Sequence, residues 1–318
     1  MTWRLPLSIL SPSGRRARLS ILILHRVLER PDPLFPTEVH AASFDRLCTW
    51  VKSMFRVLPL DEAVRHLQAG SLPARSACIT FDDGYADNRT QALPILERHG
   101  LPATFYIATG FLNGGRLWND TVIESMRRSA LPRLDLSALG VNGLGRIELS
   151  SVQQRRAAID NILQRIKHHH PDERLALTHA IAQAAQARLP DDLMMTSSQV
   201  REMHAAGMLI GAHTVSHPIL ASLSDVEARA EIAGSRVALE SILGQRVNHF
   251  AYPNGKPGKD YNDRSVAIVR ELGFDSAVCT QWGAARGSTD RHQLPRFSPW
   301  DTTRLRFGLR MARNLWAT

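Results

Sequence analysis

The sequence predicts an α/β fold: a distorted (β/α) barrel of about seven parallel strands, interrupted by a helical insertion. Three observations carry this reading. Short apolar runs alternate with stretches of helical spacing along most of the 318 residues. Two of those runs end in clusters of polar, ionisable residues, and one long central tract has helical periodicity with little strand signal. Polar groups at the carboxyl ends of parallel strands are where such folds do chemistry, so the strand ends are the expected place for functional residues.

Residues 1–18 read as a basic N-terminal arm, broken by Pro6, Pro12 and Gly14 before Arg15, Arg16 and Arg18, with residues 19–318 as a single domain. Residues 19–24 form a continuous apolar run ending at His25-Arg26, a first buried strand. Pro31, Pro33 and Pro36 mark a loop, after which Phe44, Leu47, Cys48, Val51 and Met54 recur at helical spacing. A short strand or turn follows at 55–60, then a short helix at 61–67 closed by Gly70. The strand at 77–81 stops at Asp82-Asp83-Gly84-Tyr85; a helix at 88–98, bent by Pro94, leads to a strand at 103–109.

The insertion is expected at about 120–198. It contains an Ile159, Ile162, Leu163, Ile166 stripe after Ser150-Ser151 and a second helix at about 172–188. His168-His169-His170 between these helices reads as a solvated turn, because three consecutive side chains cannot face one metal. The α/β rhythm then resumes: helix 199–206, strand 208–212, helix 224–243 before Gly244, strand 247–252, helix 263–272, strand 275–280 and a last strand at 293–297.

Composition narrows the function classes. Apolar residues at 44% and charged residues at 22% suit a globular protein with an ample core. The formal charge of +9 fits an acidic partner, but the arginines are spread along the chain with no aromatic-and-basic motif, so nucleic acid is not expected as a partner. Cys48, Cys78 and Cys279 are far apart and in no CxxC pair, which argues against disulfides or thiolate zinc and for a reducing compartment. No run approaches the ~20 apolar residues of a membrane span. Near the N-terminus most charges come after the apolar pieces, the reverse of a signal peptide. The expectation is a cytoplasmic protein whose basic arm is a loose, frayed terminus, with peripheral contact to a membrane surface left open as an alternative.

The chemistry-bearing residues lie at two strand ends. Successive side chains on a strand face opposite ways, so Asp82 and Asp83 can share a site only where the strand breaks, and Gly84 permits that break. The second end is Gly211-Ala212-His213-Thr214-Val215-Ser216-His217, where a helical or tight turn can aim both His at one point. Two His and one carboxylate form a known catalytic zinc set with a position left for water. Such a metal lowers the pKa of its water to about 7, and a second carboxylate can take the water's proton.

Thr80-Phe81-Asp82-Asp83-Gly84-Tyr85, together with His213-Thr214-Val215-Ser216-His217, resembles the first two motifs of the polysaccharide deacetylases, the NodB-homology domain of the carbohydrate esterases. The similarity runs from about Leu22 to Pro299. It implies a distorted barrel that removes N-acetyl groups from an amino-sugar glycan, acting in exopolysaccharide or other carbohydrate metabolism. It further implies that Asp83, His213 and His217 hold a divalent metal, zinc first and cobalt or another ion as alternatives, and that Asp82 is the general base. Thr80 and Ser216 are supports in that picture.

Two departures from the family pattern stand out. Phe250-Ala251-Tyr252-Pro253-Asn254-Gly255 falls where the family often has Arg-x-Pro-Tyr, so the Arg that would steer Asp82 is missing. Arg296 is expected to reach the same place from another strand, and the Asn254 amide can serve as an oxyanion donor. Leu294-Pro295-Arg296 sits where the family often has Leu-x-His, and Arg does not give up its proton. His25, at the first strand tip, is the preferred replacement acid; His292 is a second candidate, and His292 and His249 otherwise read as structural. Tyr85, Trp118, Asn119, Asp120, Tyr252 and Trp282 complete the expected site as sugar contacts. Two other readings stay open: hydrolysis of a different non-peptide amide, and an inactive glycan-binding module, against which the retained Asp82-Asp83 pair argues.

Overall fold

Six parallel strands curl into the wall of a barrel in the computed structural model, which describes residues 3–316. The strands are β1 (Ser20–Leu24), β2 (Arg56–Val57), β3 (Ser76–Phe81), β4 (Thr104–Ile107), β5 (Arg133–Asp135), β6 (Arg146–Glu148), β7 (Leu209–Ala212), β8 (His249–Ala251) and β9 (Ser276–Val278). The wall runs in the order β1-β3-β4-β7-β8-β9, with β2 alongside the start of β3, making a seven-stranded sheet. The helices are α1 (Arg4–Leu10), α2 (Ala41–Met54), α3 (Leu60–Ala69), α4 (Leu93–His99), α5 (Trp118–Arg128), α6 (Val152–Ile166), α7 (Pro171–Ala184), α8 (Ser197–Ala205), α9 (Asp225–Leu243), α10 (Asp263–Glu271) and α11 (Arg304–Trp316). None is long and apolar enough to cross a membrane, among the described residues.

The expected last strand at 293–297 is present as bridges rather than as a regular strand. Leu294 pairs with Val278 of β9, and Phe297 pairs with Leu22 of β1. One short segment therefore joins the two edges of the wall and satisfies backbone groups that would otherwise be exposed. Period-two alternation then sorts the side chains. Leu22, Leu24, Ile79 and Phe81 face the outer core with α2 and α4, whereas Ile21 and Cys78 face the interior with Tyr106, Val278 and Leu294. The apolar face of α3 (Leu60, Val64, Leu67) joins the interior set.

The chain divides into two compact units, one of residues 1–30, 38–112 and 195–318, the other of residues 31–37 and 113–194. The second unit has its own core, where Val122 and Met126 of α5 meet Ile159, Ile162 and Ile166 of α6. Ser151 caps α6 in a reciprocal box with Gln154, as the Ser150-Ser151 signal predicts. The same unit holds an antiparallel pair, β5 with β6, that periodicity does not reveal because each strand is three residues long. His169 and His170 pair with Glu173 and Asp172 at a helix start.

The N-terminal arm is folded where the sequence predicts a loose tail. Leu7 of α1 is fully buried, and Trp3 lies against Gly308 of α11, where any β-carbon would collide with the indole. Ser11 is tied to the backbone of Arg18 in both directions. The prolines break the arm's periodicity without preventing a two-turn helix.

Phe81 shows how the wall is stabilised: its ring stacks on Phe105 at 4.7 Å and meets Phe44 edge-on at 5.6 Å. Phe81→Ala is expected to cost about 3–5 kcal/mol through lost burial and the cavity left behind, read as a shift of the urea unfolding midpoint.

Candidate active site

The strand register brings the two polar ends together. Leu24 pairs with Phe81, so His25 and Asp82 continue at the same level; Ala212 pairs with Phe250, which sets His213 beside Ala251. Past the strand ends, backbone bonds knit the tips into a mesh: Ala108 N–H donates to Asp83 O, His213 N–H to Ile107 O and Thr109 N–H to Thr214 O. Asp82 keeps the strand alternation and points inward with Thr80. Asp83 would point away, but its φ of 77° followed by 88° at Gly84 swings it round. Thr214 and His217 also adopt positive φ, at 65° and 54°. Three strained non-glycine residues in one site are the local cost of aiming Asp83 and His217 at one point.

The result is a cluster in which one ligand atom each from Asp83, His213 and His217 lies within 4.8 Å of the others. Asp83 Oδ1 is 3.4 Å from both His213 Nε2 and His217 Nε2. It is buried and has no hydrogen-bond partner among the described residues. Metal arms of about 2.0–2.1 Å in a tetrahedral shell place neighbouring donors about 3.3–3.4 Å apart. The donor set therefore fits a divalent metal, and an orphaned carboxylate oxygen is what such an ion would satisfy. His213 Nδ1 lies 2.7 Å from Ala251 O, which it reaches as a donor, leaving Nε2 free to face the Asp83 carboxylate and any ion held there.

Arg296 lies beside this cluster, 1% exposed. Its Nη1 donates to Asp82 Oδ1 and its Nη2 to Asp82 Oδ2, both at 2.7 Å, a bidentate fork. Nη1 also donates to Thr80 Oγ1 at 3.1 Å, and Nε donates to Cys279 O at 3.1 Å. Arg296 thus occupies the place expected of it, reaching Asp82 from the segment that closes the barrel.

Burial is the largest influence on every charge here. It would raise Asp82, but Arg296, His213 and His25 outweigh it and hold that carboxyl below the usual range. Asp83 is also held well down against its burial, by His213, His217 and His25. Burial would lower His213, yet Asp82 and Asp83 raise it above its ordinary value. For His217 burial prevails and pushes the imidazole down to about 4, a neutral ring suited to ligation. His25 is exposed at the tip of β1, within electrostatic reach of both carboxylates.

One supporting residue escapes sequence reasoning. Glu231, on α9, accepts from the N–H groups of Val215 and Ser216 at 2.9 and 2.8 Å and from Ser216 Oγ at 2.6 Å. It holds the turn that carries His217. No local motif marks it; it is one acidic residue on a long helix, and only the close approach of Gly234 to Val215 sets this face apart.

The remaining expected residues have varied positions. Asn254 is exposed after β8 at φ 57°, and among the described residues its N–H has no hydrogen-bond partner. Tyr252 is a correction: it is fully enclosed, stacked on Tyr261 at 3.9 Å with its hydroxyl donating to His292 O, and offers no surface to a sugar. Tyr85 is nearly enclosed beneath the Arg26 guanidinium, 4.7 Å from its ring. Trp282 is partly exposed, with Arg313 over its ring. Trp118, Asn119 and Asp120 open α5 in the second unit, where Arg174 covers the Trp118 ring at 4.8 Å and Asp120 is buried. His292 is bonded through Nε2 to Phe274 O and His249 through Nδ1 to Ser276, both structural.

A parallel barrel with an Asp/His/His donor set and a second, Arg-held carboxylate at its mouth has the side chains that hydrolysis at a divalent metal would require. The family model for polysaccharide deacetylases matches residues 69–130 and 157–277, more than half of the chain, and the chain belongs to that family of carbohydrate N-deacetylases. It is similar to YxkH of Bacillus subtilis (strain 168), at 22% identity over 88% of this chain and 71% of YxkH. A poly-β-1,6-N-acetyl-D-glucosamine N-deacetylase of Staphylococcus aureus is 32% identical over 87 residues, 27% of this chain and 30% of that enzyme. Among solved structures, IcaB from Ammonifex degensii superposes with a TM-score of 0.60, covering 96% of this chain and 99% of that one at 18% identity. The Streptococcus pyogenes deacetylase PplD gives 0.58, over 89% and 92% at 22% identity. At those identities the structural likeness is one of fold.

The purified chain is expected to bind one divalent ion per molecule, measured by elemental analysis, and to lose it in His217→Ala. Glu231→Gln should keep the fold but weaken the ion's affinity about 10–100-fold, the usual effect of loosening a ligand's support.

Proposed function

We propose that the chain removes N-acetyl groups from an amino-sugar polysaccharide with zinc at Asp83, His213 and His217. The observation that carries this is the buried, unpartnered Asp83 oxygen facing two imidazole nitrogens beside a second carboxylate held ionised by Arg296. A bound metal would lower the pKa of a water and polarise the acetyl carbonyl.

The chain's own residues do the rest. Asp82 takes the proton of the attacking water; Arg296 is a positioning residue that fixes both carboxylate oxygens and keeps them charged. The Asn254 N–H donates to the oxygen on which negative charge develops. His25 gives a proton to the amide nitrogen as the carbon–nitrogen bond breaks, releasing acetate and a free amine. The shared stretch with the Staphylococcus aureus enzyme supports a β-1,6-linked N-acetylglucosamine polymer as the first substrate to test. Three free, buried cysteines suit a reducing compartment, which supports a cytoplasmic site of action.

Acetate release from β-1,6-linked N-acetylglucosamine oligomers, with β-1,4-linked oligomers for comparison, tests the reading. Release should depend on added zinc, stop on chelation and fall about 10²–10⁴-fold in Asp82→Asn with metal retained. No release from any N-acetylated glycan by the zinc-loaded protein would refute it.

Arg296→Gln leaves the Asp82 carboxylate buried without its countercharge. Burial then raises the Asp82 pKa, so the acidic limb of the pH–rate profile should move to higher pH. Breaking such a pair also costs about 3–5 kcal/mol of stability, so the profile is read at a temperature where circular dichroism shows the variant folded.

A further inference from the structure

A second concentration of charge lies at the other end of β1 from His25. Leu19, just before β1, and Ala285 form an antiparallel bridge, exchanging backbone hydrogen bonds of 2.8 and 2.9 Å. The next pair along this bridge is Arg18 and Arg286. Directly opposed like charges destabilise a strand pair, and burial followed by the Arg286 charge pushes Arg18 below its ordinary pKa. Arg18 Nη1 and Arg286 Nε are both buried without a hydrogen-bond partner among the described residues.

These two arginines, with Arg15, Arg16, Gln68 and Ser288, line a cavity of about 630 Å³ that has no carboxylate in its wall. None of the four arginines forms an ion pair among the described residues. The C-terminus of α3 reaches the same cavity through Gly70, over which the Arg15 stem lies. A helix end supplies only about half a negative charge, far short of four guanidinium groups. Two half-buried arginines, each with one enclosed donor left unbonded, opposed like charges and an open cavity together suit an anion.

We propose that this cavity binds a phosphate-bearing ligand, either a free oligophosphate or the phosphate headgroup of a lipid. Guanidinium forks match phosphate oxygens two at a time, and the cavity is larger than one phosphate requires. The site is separate from the metal centre: β1 and its flanking residues put Arg18 roughly 20 Å from His25.

The test is calorimetric titration of the full chain with inorganic pyrophosphate at constant ionic strength. A chelator is present so that the metal centre cannot contribute, and sodium acetate is the control anion. One saturable site is expected, weakened about ten- to a hundredfold in Arg286→Gln and again in Arg18→Gln, the measure of a charge-assisted hydrogen bond. Co-sedimentation with phosphatidylcholine vesicles, with and without phosphatidylglycerol, separates the sources; capture that needs the anionic lipid and is lost in the double variant assigns the headgroup. Because the two arginines repel, Arg286→Gln should raise the melting temperature of the ligand-free protein. The proposal is overturned by absence of binding to both pyrophosphate and anionic vesicles, by binding that the double variant retains, or by a lower melting temperature in Arg286→Gln.

Discussion

The fork between Arg296 and Asp82 is the interaction on which this site depends. Two adjacent carboxylates must stay ionised where solvent hardly reaches, with Asp82 3% and Asp83 6% exposed. Desolvation alone would protonate them and remove both the proposed base and the proposed metal ligand. Arg296 answers this for Asp82 with two charge-assisted bonds of 2.7 Å, and the imidazoles of His213 and His217 answer it for Asp83. It comes from the segment whose bridges to β9 and β1 close the wall, so the charge of Asp82 and barrel closure rest on one short stretch of chain. A buried ion pair contributes little net stability; its value here is a fixed, charged carboxylate.

The proposed metal donors obey a different constraint. A strand alternates its side chains, so neighbouring carboxylates converge only if the backbone leaves the strand at once. Positive φ at Asp83, Thr214 and His217 does this, and the surrounding hydrogen bonds overdetermine the strained turns. Asp83 is locked to the tip of β4, and the His217 turn is clamped by Glu231 from outside the wall. The donor cluster is thus preorganised by backbone and helix together.

Much of this is legible in the chain. The apolar runs, the polar strand ends and the central helical tract stand out because each is a local pattern that burial repeats at fixed spacing. Asp82-Asp83-Gly84 and His213-x-x-x-His217 are readable because residue type, order and position after a strand together narrow the chemistry. Tyr252 misleads because a Tyr beside a polar strand end looks like a sugar contact, whereas its side chain faces Tyr261 and the core. The folded arm and the β5–β6 pair escape notice because proline-broken or three-residue segments carry too little periodicity.

The sequence by itself determined the fold class, the strand ends that carry chemistry and the types of donor available, since these arise from local hydrophobic spacing and side-chain identity. Tertiary structure decided which partners meet: Glu231 with the His217 turn, Arg18 with Arg286, and the two-bond fork of Arg296 on Asp82, which the family pattern only suggests. Each pair joins residues far apart in the chain and arises from strand register and barrel closure, for which no local spacing stands as a sign.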